Sequence, residues 1–161
     1  MARTKKKPKT MTPRIENRRA YHDYHISEKL ETGLVLTGTE IKSIRLGQVS
    51  LGEGFARVDP HSGELYLHNV EIAMYPHAGA NQHTPRQSRK LLAHKREIDK
   101  LVGATGSKGK TLIPLAIYFV RGKAKLEIGV AEGKRTHDKR QDVKKREAER
   151  DMRRAMARKK I

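Results

Sequence analysis

Few residue patterns in this chain of 161 residues have the spacing that catalytic or phosphate-binding motifs require. The strongest candidate is GATGSKGKT at residues 103–111, which has the composition of a phosphate-binding P-loop. That motif needs glycine five residues before Gly109, where Ala104 stands. It also needs a strand before it and a helix after it, and we expect the opposite order here. We therefore assign no nucleotide site to this segment.

Histidine and carboxylate side chains give no better basis for catalysis. On a predicted strand, His22 and His25 point to opposite faces, which disfavours a shared metal ion. The chain has no HExxH or G-x-S-x-G pattern and no cysteine. Glu31 and Glu40 are explained most simply as a turn residue and a helix cap, although a carboxylate on a basic surface also accepts hydrogen bonds from RNA. The sequence therefore predicts no enzyme, no metal and no cofactor.

Positive charge is the dominant chemical feature of the chain. Lysine and arginine number 36 against 18 acidic residues, which gives a net charge of +18. Such an excess is self-repulsive unless a polyanion neutralises it, so nucleic acid is the first candidate partner. Aromatic residues make up only 4% of the chain. The chain therefore has few aromatic side chains on which the bases of an unstructured single strand could stack, and recognition of a folded RNA is favoured.

Other compositional features bear on location. The longest apolar run, residues 112–120, is short and contains Pro114, which disfavours a membrane partner. Without cysteine there is no disulfide framework, and no apolar segment of a signal peptide follows the basic start. These features predict a cytoplasmic protein. No strongly apolar interface is visible, so we expect a monomer.

The elements that position the charges centre on residues 33–47, GLVLTGTEIKSIRLG. Alternating apolar residues predict a strand, after which the isoleucine spacing becomes helical. Thr37 and Glu40 have the spacing of a capping box, and Gly47 is suited to end the helix. We predict a helix of about two turns with its isoleucines on a sheet. Lys42 and Arg45 would face out.

The rest of residues 17–131 reads as short strands. Alternation predicts strands over 20–26, 55–58 and 65–70, and two more strands around Arg121 and Gly122, the second over 124–130. A hairpin turn is predicted at 59–63, a loop at 76–88 and a helix over 89–103. About six antiparallel strands with short helices make a mainly β domain. Closure into a barrel would remove the exposed edges of such short strands.

The two ends of the chain have too few apolar residues to fold by themselves. Residues 1–16 are predicted to be a disordered basic arm. Residues 132–161 are rich in helix-forming residues but have only a thin apolar stripe. We expect this tail to be mostly disordered alone and to become a helix when phosphates neutralise its charge.

Four segments together resemble the SsrA-binding protein family, also called small protein B. They are NRRAYHDYHI (17–26), ETGLVLTGTEIKSIRLGQVSL (31–51), RKLLAHKREIDKL (89–101) and GKRTHDKRQDVKKREAER (133–150). The resemblance implies an oligonucleotide-binding-type (OB-fold) barrel that binds the tRNA-like domain of transfer-messenger RNA. It also implies delivery of that RNA to the A site of stalled ribosomes, in the process called trans-translation, without enzyme activity.

The resemblance also implies site residues. Positions on the RNA-binding side of the barrel are His22, Glu31, Leu92 and His94. To these we add basic residues on electrostatic grounds: Lys42, Arg45, Lys90, Lys95, Arg96, Lys123, Lys125 and Lys134.

For the tail, the resemblance implies contacts with the ribosome. Gly133 would end the barrel, and residues 137–140 would lie at the decoding centre, where His137 would stack on a small-subunit rRNA base. The implied residues are Gly133, His137, Asp138, Lys139, Arg140, Lys144, Lys145 and Arg146, the last three along the empty mRNA channel.

Four residues depart from the family pattern: Thr84, Gln87, Ala93 and Glu132. Two alternatives to this function were considered. A ribosome-associated OB-fold protein that binds structured RNA in another translation step would have no need of HDKR followed by a latent helix. A nuclease or RNA-modifying enzyme would need a carboxylate cluster or a general base.

Overall fold

The computed structural model of the chain describes residues 13–158, which form four helices and nine strands. The helices are α1 (Arg18–Asp23), α2 (Gly38–Arg45), α3 (Lys95–Thr105) and α4 (Thr136–Arg158). The strands are β1 (Ile15–Glu16), β2 (Tyr24–Leu34), β3 (Val49–Ser50), β4 (Phe55–Val58), β5 (Leu65–His68), β6 (Glu71–Ile72), β7 (Arg89–Leu92), β8 (Lys110–Val120) and β9 (Lys123–Gly133).

Six of these strands close into an antiparallel barrel. The order around the ring is β8, β4, β5, β7, β2 and β9, and β9 pairs back with β8. In the described residues, β3 and β6 pair with each other as a separate two-stranded sheet. The predicted mainly β fold, with about six antiparallel strands and short helices, is confirmed.

Alternate side chains of the barrel strands fill the interior. Those that are completely buried include Leu65, Leu67, Ile117, Leu126 and Ile128. Ile44 of α2 and Leu101 of α3 belong to the same apolar cluster, so both helices pack on the barrel through their apolar faces. One strand position requires glycine: a Cβ on Gly129 would lie 2.8 Å from the Ile26 side chain and 2.9 Å from that of Leu115.

The predicted junction between a strand and a helix is present at β2 and α2. The amide of Thr37 donates to the Glu40 carboxylate at 2.7 Å, which is one half of the expected capping box. The chain leaves α2 through Gly47, whose φ of 75° is a left-handed conformation that favours glycine. Lys42 and Arg45 are exposed on the outer side of the helix, as predicted.

The predicted strand over residues 20–26 is wrong in its first part, which forms α1. Asn17 begins this helix, since its side chain accepts a hydrogen bond from the Ala20 amide at 3.1 Å. The same side chain donates to the carbonyls of Leu51 and Pro114 at 3.1 and 3.0 Å. These partners are far away in the sequence. They fix a helix start where the local alternation favours a strand.

The helix predicted over residues 89–103 is in fact two elements, β7 and then α3. Arg89 and Leu91 are buried, whereas Lys90 and Leu92 are more exposed, which is the alternation of a strand. β7 pairs with β5 on one side and with β2 on the other. This pairing inside the barrel outweighs the helical spacing of the segment, and α3 starts only at Lys95.

Strands of the structure extend into both predicted tails. Residues 15–16 of the predicted arm 1–16 pair with β8, and Ile15 packs against the core. Residues 1–12 and 159–161 lie outside the described residues. At the other end β9 continues to Gly133, two residues into the predicted tail 132–161. The division into arm, barrel and tail stays a prediction.

The C-terminal segment is a continuous helix of 23 residues in this structure, α4. The sequence predicts a helix here, but one that is mostly disordered without RNA. The helix has a physical anchor at its first turns, where Lys139 contacts Asp23 of α1 at 3.0 Å. Whether the remaining turns depend on RNA stays a prediction.

Candidate nucleic-acid interface

A buried ion pair fixes the elements around the candidate interface. Arg89 Nε lies 2.7 Å from Glu40 Oε1, and both side chains are 1% exposed. The carboxylate also accepts from the Thr37 amide at 2.7 Å and from the Gln87 side chain at 2.8 Å. Burial acts to raise the pKa of Glu40, but the hydrogen bonds from these three donors outweigh it and lower the pKa.

The guanidinium of Arg89 extends this network to the loop before β7. It donates to the carbonyls of Val70, Gln87 and Pro85 at 2.8, 2.9 and 2.9 Å. The buried Arg89 thereby joins α2, β7 and the loop over residues 73–88. By holding these elements together, Arg89 also fixes the relative positions of Lys42 and Arg45 on α2 and of Leu92 on β7.

The outer side of α2 carries two of the predicted RNA-binding residues. Lys42 Nζ lies 5.1 Å from the centre of the Tyr75 ring, and Arg45 Cζ lies 5.6 Å from the centre of the Phe119 ring. A cation over a ring face is held by electrostatic attraction while its charge stays open to solvent. Both cations are therefore positioned on the surface.

Five predicted RNA-binding residues line one cleft, of about 690 Å³, between β2, β7, β9 and the start of α3. They are Glu31, Leu92, His94, Lys123 and Lys125. No sequence spacing connects them, since they come from three strands and one helix cap. The cleft combines the cations of Lys123 and Lys125, the carboxylates of Glu31 and Glu97, and the apolar side chain of Leu92, which is 53% exposed.

Glu31 is held in its ionised form inside this cleft. It accepts a hydrogen bond from the hydroxyl of Tyr118, and Lys125 Nζ lies 3.3 Å from its other oxygen. The Tyr118 hydrogen bond and Lys125 lower the pKa of Glu31. Burial and the contact with Glu31 raise the pKa of Tyr118 to about 12. The carboxylate can accept further hydrogen bonds from a ligand in the cleft.

The start of α3 adds positive charge beside the cleft. His94 precedes the helix, and its amide donates to the Glu97 carboxylate at 2.8 Å. Lys95 and Arg96 follow in the first turn, and both are exposed. The cap therefore fixes the backbone that carries His94, Lys95 and Arg96.

Besides Lys125, two of the lysines predicted for RNA binding are occupied by contacts within the protein. Lys90 forms an ion pair with Glu64 on the neighbouring β5. Lys134 has a side chain that is only 6% exposed, and its amine contacts the Tyr21 carbonyl at 3.0 Å and Asp142 at 2.5 Å. Lys134 joins the end of the barrel to α4, which is a structural role that its charge alone did not indicate.

His22 lies outside the cleft, at the base of α4. It borders a shallow pocket of about 370 Å³ that is otherwise lined by tail residues: Thr136, Lys139, Arg140, Val143 and Lys144. Its Nδ1 is 2.9 Å from the carboxylate of Asp23. The structure thus groups His22 with the residues that the sequence predicts for the ribosome.

Asp23 connects α1 to α4 and was not identified from the sequence. Its carboxylate contacts His22, Lys139 and Arg19, the last two at 3.0 and 3.2 Å. The hydrogen bonds from His22 and then Lys139 lower the pKa of Asp23 to about 2. Tyr118 was also missed. The roles of both residues depend on a partner on another element, Lys139 for Asp23 and Glu31 for Tyr118, and such a partner leaves no local signal.

The remaining tail residues lie along one exposed helix. Gly133 ends β9, and Asp138 accepts from the Arg135 amide at 3.2 Å at the start of α4. The others that the sequence predicts for the ribosome are exposed: His137, Arg140, Lys144, Lys145 and Arg146. Their charges point to solvent rather than to the barrel.

Two further properties concern residues 13–158. No three His, Asp or Glu side chains converge there in a way that would hold a metal ion. No helix in that range has the length and apolar character needed to cross a membrane.

Comparison with known proteins gives a consistent result. The family model described as SmpB protein matches residues 14–158. An SsrA-binding protein of Thermobifida fusca is 52% identical over 160 residues, which cover 98% of this chain and 99% of that protein. An SsrA-binding protein of Carboxydothermus hydrogenoformans is also 52% identical, over 88% of this chain and 93% of that protein.

A solved structure is similar as well. It is described as "tmRNA-SmpB: a journey to the center of the bacterial ribosome" and is 48% identical, with a TM-score of 0.66. The alignment covers 81% of this chain and 94% of that chain.

Proposed function

This chain belongs to the SmpB family of SsrA-binding proteins, and from that premise we propose that it acts in trans-translation. Its barrel binds the tRNA-like domain of transfer-messenger RNA. The complex then enters the vacant A site of a stalled bacterial ribosome. The protein contributes binding and positioning rather than catalysis, and it works in the cytoplasm, where ribosomes are.

The cleft that contains Glu31, Leu92, His94, Lys123 and Lys125 is the observation that carries this proposal. Its lysines suit the phosphates of a folded RNA, and the ionised Glu31 suits ribose hydroxyls or base amino groups. Leu92 offers an apolar surface for a base or ribose. This combination fits RNA better than a generic polyanion, which the carboxylates of the cleft would repel.

The tail supports the second part of the proposal. α4 is exposed over most of its length, and beyond its first turns the basic residues outnumber the three acidic ones, Glu147, Glu149 and Asp151. We propose that residues 137–140 reach the decoding centre and that His137 stacks there on an rRNA base. Lys144, Lys145 and Arg146 then follow the mRNA channel, which has room for a polycationic helix only when mRNA is absent.

The role of the cleft can be tested with a charge-matched pair of variants. Lys123→Gln/Lys125→Gln removes two charges from the cleft, and Lys108→Gln/Lys110→Gln removes two charges outside it. Binding to the isolated tRNA-like domain is measured over a range of salt concentrations. The cleft variant should bind more weakly, and its log–log salt slope should fall by about two units if each lysine neutralises one phosphate.

Equal losses in the two variants would contradict the cleft proposal, because they would show that only total charge matters. A third variant, Glu31→Ala, distinguishes recognition from charge. It should weaken binding although it makes the protein more positive. Stronger binding by Glu31→Ala would mean that the carboxylate only repels RNA.

The tail proposal needs a ribosomal readout. Lys144→Gln/Lys145→Gln/Arg146→Gln should bind the tRNA-like domain as the wild type does, yet fail to support tag addition on stalled ribosomes in a reconstituted translation system. If this variant also loses affinity for the tRNA-like domain, the tail belongs to the RNA-binding site and the division of labour is wrong.

A further inference from the structure

The outer face of β4, β5 and β7 carries a group of aromatic and basic side chains outside the cleft. Register places Phe55 opposite His68, and Arg57 opposite Tyr66, while Tyr66 pairs with Lys90 on its other side. The alternate positions in these strands point inward and are buried, except Val58, which is partly buried. We call these five side chains the aromatic face.

The rings of the aromatic face form a nearly continuous surface. Phe55 and His68 are stacked, with ring centres 5.2 Å apart and planes inclined by 27°. Tyr66 continues the row, its ring centre 6.5 Å from that of His68. Phe55 remains 36% exposed. A pocket of about 500 Å³ lies beside Tyr66 and His68, next to Pro60 and His61 in the β4–β5 turn.

The charges around this face favour an anionic ligand. Arg57 is exposed and forms no salt bridge with any residue in the described range 13–158. Of the nearby acids, Glu64 forms an ion pair with Lys90 and also accepts from the Tyr66 hydroxyl at 2.8 Å. Asp59 accepts from Ser62 at 2.8 Å and keeps its charge, and the charge of Arg57 contributes to lowering the pKa of Asp59. The open positive charge at the rings is therefore that of Arg57.

We propose that the aromatic face binds a single-stranded RNA segment, with one or two unpaired bases stacked on Phe55, His68 and Tyr66. Arg57 neutralises a phosphate of the same segment. Aromatic stacking accepts any base, because each base has a π face, so we expect little sequence preference. The sparse aromatic content of the sequence argued against such a platform. Folding gathers two of the chain's seven phenylalanine and tyrosine residues, together with a histidine, on this one face.

The position of the face supports RNA as the occupant. Lys90 of the face and Leu92 of the cleft are two residues apart on β7, a distance of about 7 Å along a strand. An RNA held in the cleft can therefore continue onto the aromatic face without a gap. The inference nevertheless does not require the proposed function, since any RNA with an unpaired segment would serve.

The test uses full-length protein and two labelled probes, hexa-adenylate and an abasic ribose-phosphate hexamer of equal charge. Affinities are measured by fluorescence anisotropy at near-physiological salt. The wild type should prefer hexa-adenylate. Phe55→Leu and Tyr66→Leu should each weaken its binding about tenfold, with little effect on the abasic probe. Tyr66→Phe, which keeps the ring, should retain most of the affinity.

The control is Tyr21→Leu, which removes an equally exposed ring from α1. It should leave hexa-adenylate binding unchanged. Equal affinity of the wild type for the two probes would overturn the inference, as would a folded Tyr66→Leu variant with wild-type affinity for hexa-adenylate.

A second measurement does not depend on the folding of any variant. In NMR titrations of the wild type with hexa-adenylate, ring protons of Phe55, Tyr66 and His68 should shift upfield. Shifts confined to residues of the cleft, such as Leu92 and His94, would overturn the inference. Binding of the tRNA-like domain is followed in parallel, so that failure of the aromatic face can be told apart from failure of the proposed function.

Discussion

Arg89→Met offers the most direct test of how the candidate interface is held in place. Arg89 is buried, and methionine has a similar length and no charge, so the substitution removes the guanidinium without leaving a large cavity. What it leaves behind is the Glu40 carboxylate without its counter-charge. Three backbone carbonyls also lose their donors, those of Val70, Gln87 and Pro85.

The size of the effect follows from this count. Removing one partner of a buried ion pair typically costs about 3–5 kcal/mol, because the other charge stays buried and unpaired. The orphaned carbonyls act in the same direction. The remaining hydrogen bonds from Thr37 and Gln87 keep the cost within this range rather than above it. We expect the free energy of unfolding of Arg89→Met to fall by about 3–5 kcal/mol.

Urea denaturation followed by far-ultraviolet circular dichroism measures this change. Arg86→Met is the matched control, since Arg86 also pairs with a glutamate, Glu71 at 2.8 Å, but with both side chains largely exposed. Its unfolding free energy should hardly change. Glu40→Gln and the double variant complete a mutant cycle, in which the double variant should lose less than the sum of the two single variants.

The pH dependence provides a second readout of the same network. The pKa of Glu40 is lower in the folded protein than its ordinary value. Its carboxylate therefore stabilises the fold at neutral pH, and that stabilisation is lost as the pH falls through the folded pKa. Arg89→Met should weaken this acid dependence. If Arg89→Met costs no more than Arg86→Met, the buried pair does not hold the interface and this reasoning is refuted.

Three other outcomes are expected. The pKa of Asp23 is lowered to about 2. Its carboxylate should therefore keep its contacts with His22 and Lys139 at pH values near the ordinary aspartate pKa of about 3.9, and lose them as the pH falls towards 2. Chemical shifts of α1 and α4 measure this change. Gly129→Ala should lower the unfolding free energy by about 1–3 kcal/mol through overpacking, measured by urea denaturation. Gly103→Ala, in α3 with no atom within 4 Å of the new Cβ, should instead raise it by about 0.5–1 kcal/mol.

Local sequence was sufficient where each element is defined by its own residues. The alternation over residues 124–130 predicted the centre of β9, and the Thr37–Glu40 spacing predicted the start of α2. The turn at residues 59–63 likewise predicted the β4–β5 hairpin. In these segments the propensity, the hydrophobic pattern and the turn residues all favour the same structure.

Prediction failed where partners far away in the sequence decide the structure. Asn17 starts a helix because its side-chain amide donates to the carbonyls of Leu51 and of Pro114 in β8, both far away in the sequence. Arg89 lies in a strand because its guanidinium belongs in a buried network with Glu40. Neither contact leaves a periodic signal, since an isolated asparagine or arginine occurs in any element.

The candidate site shows the same division. The family predicted from four sequence segments is confirmed by the comparisons. The individual site residues stay predictions. The structure brings Glu31, Leu92 and His94 together with two lysines, but separates His22 from them. Spacing alone could not have made that separation, because it depends on how β2, β7 and α1 are arranged around the barrel.

The helix α4 has a mechanical consequence. With 23 residues it is about 35 Å long. Two ion pairs, Lys139 with Asp23 and Asp142 with Lys134, hold the beginning of the helix to the rest of the protein. Such a helix is a lever with its pivot at α1. A tilt of about 10° at the pivot moves the far end by about 6 Å, roughly the rise of one helical turn. Small changes in a few ion pairs at the beginning of α4 would therefore change the position of its charged C-terminal end.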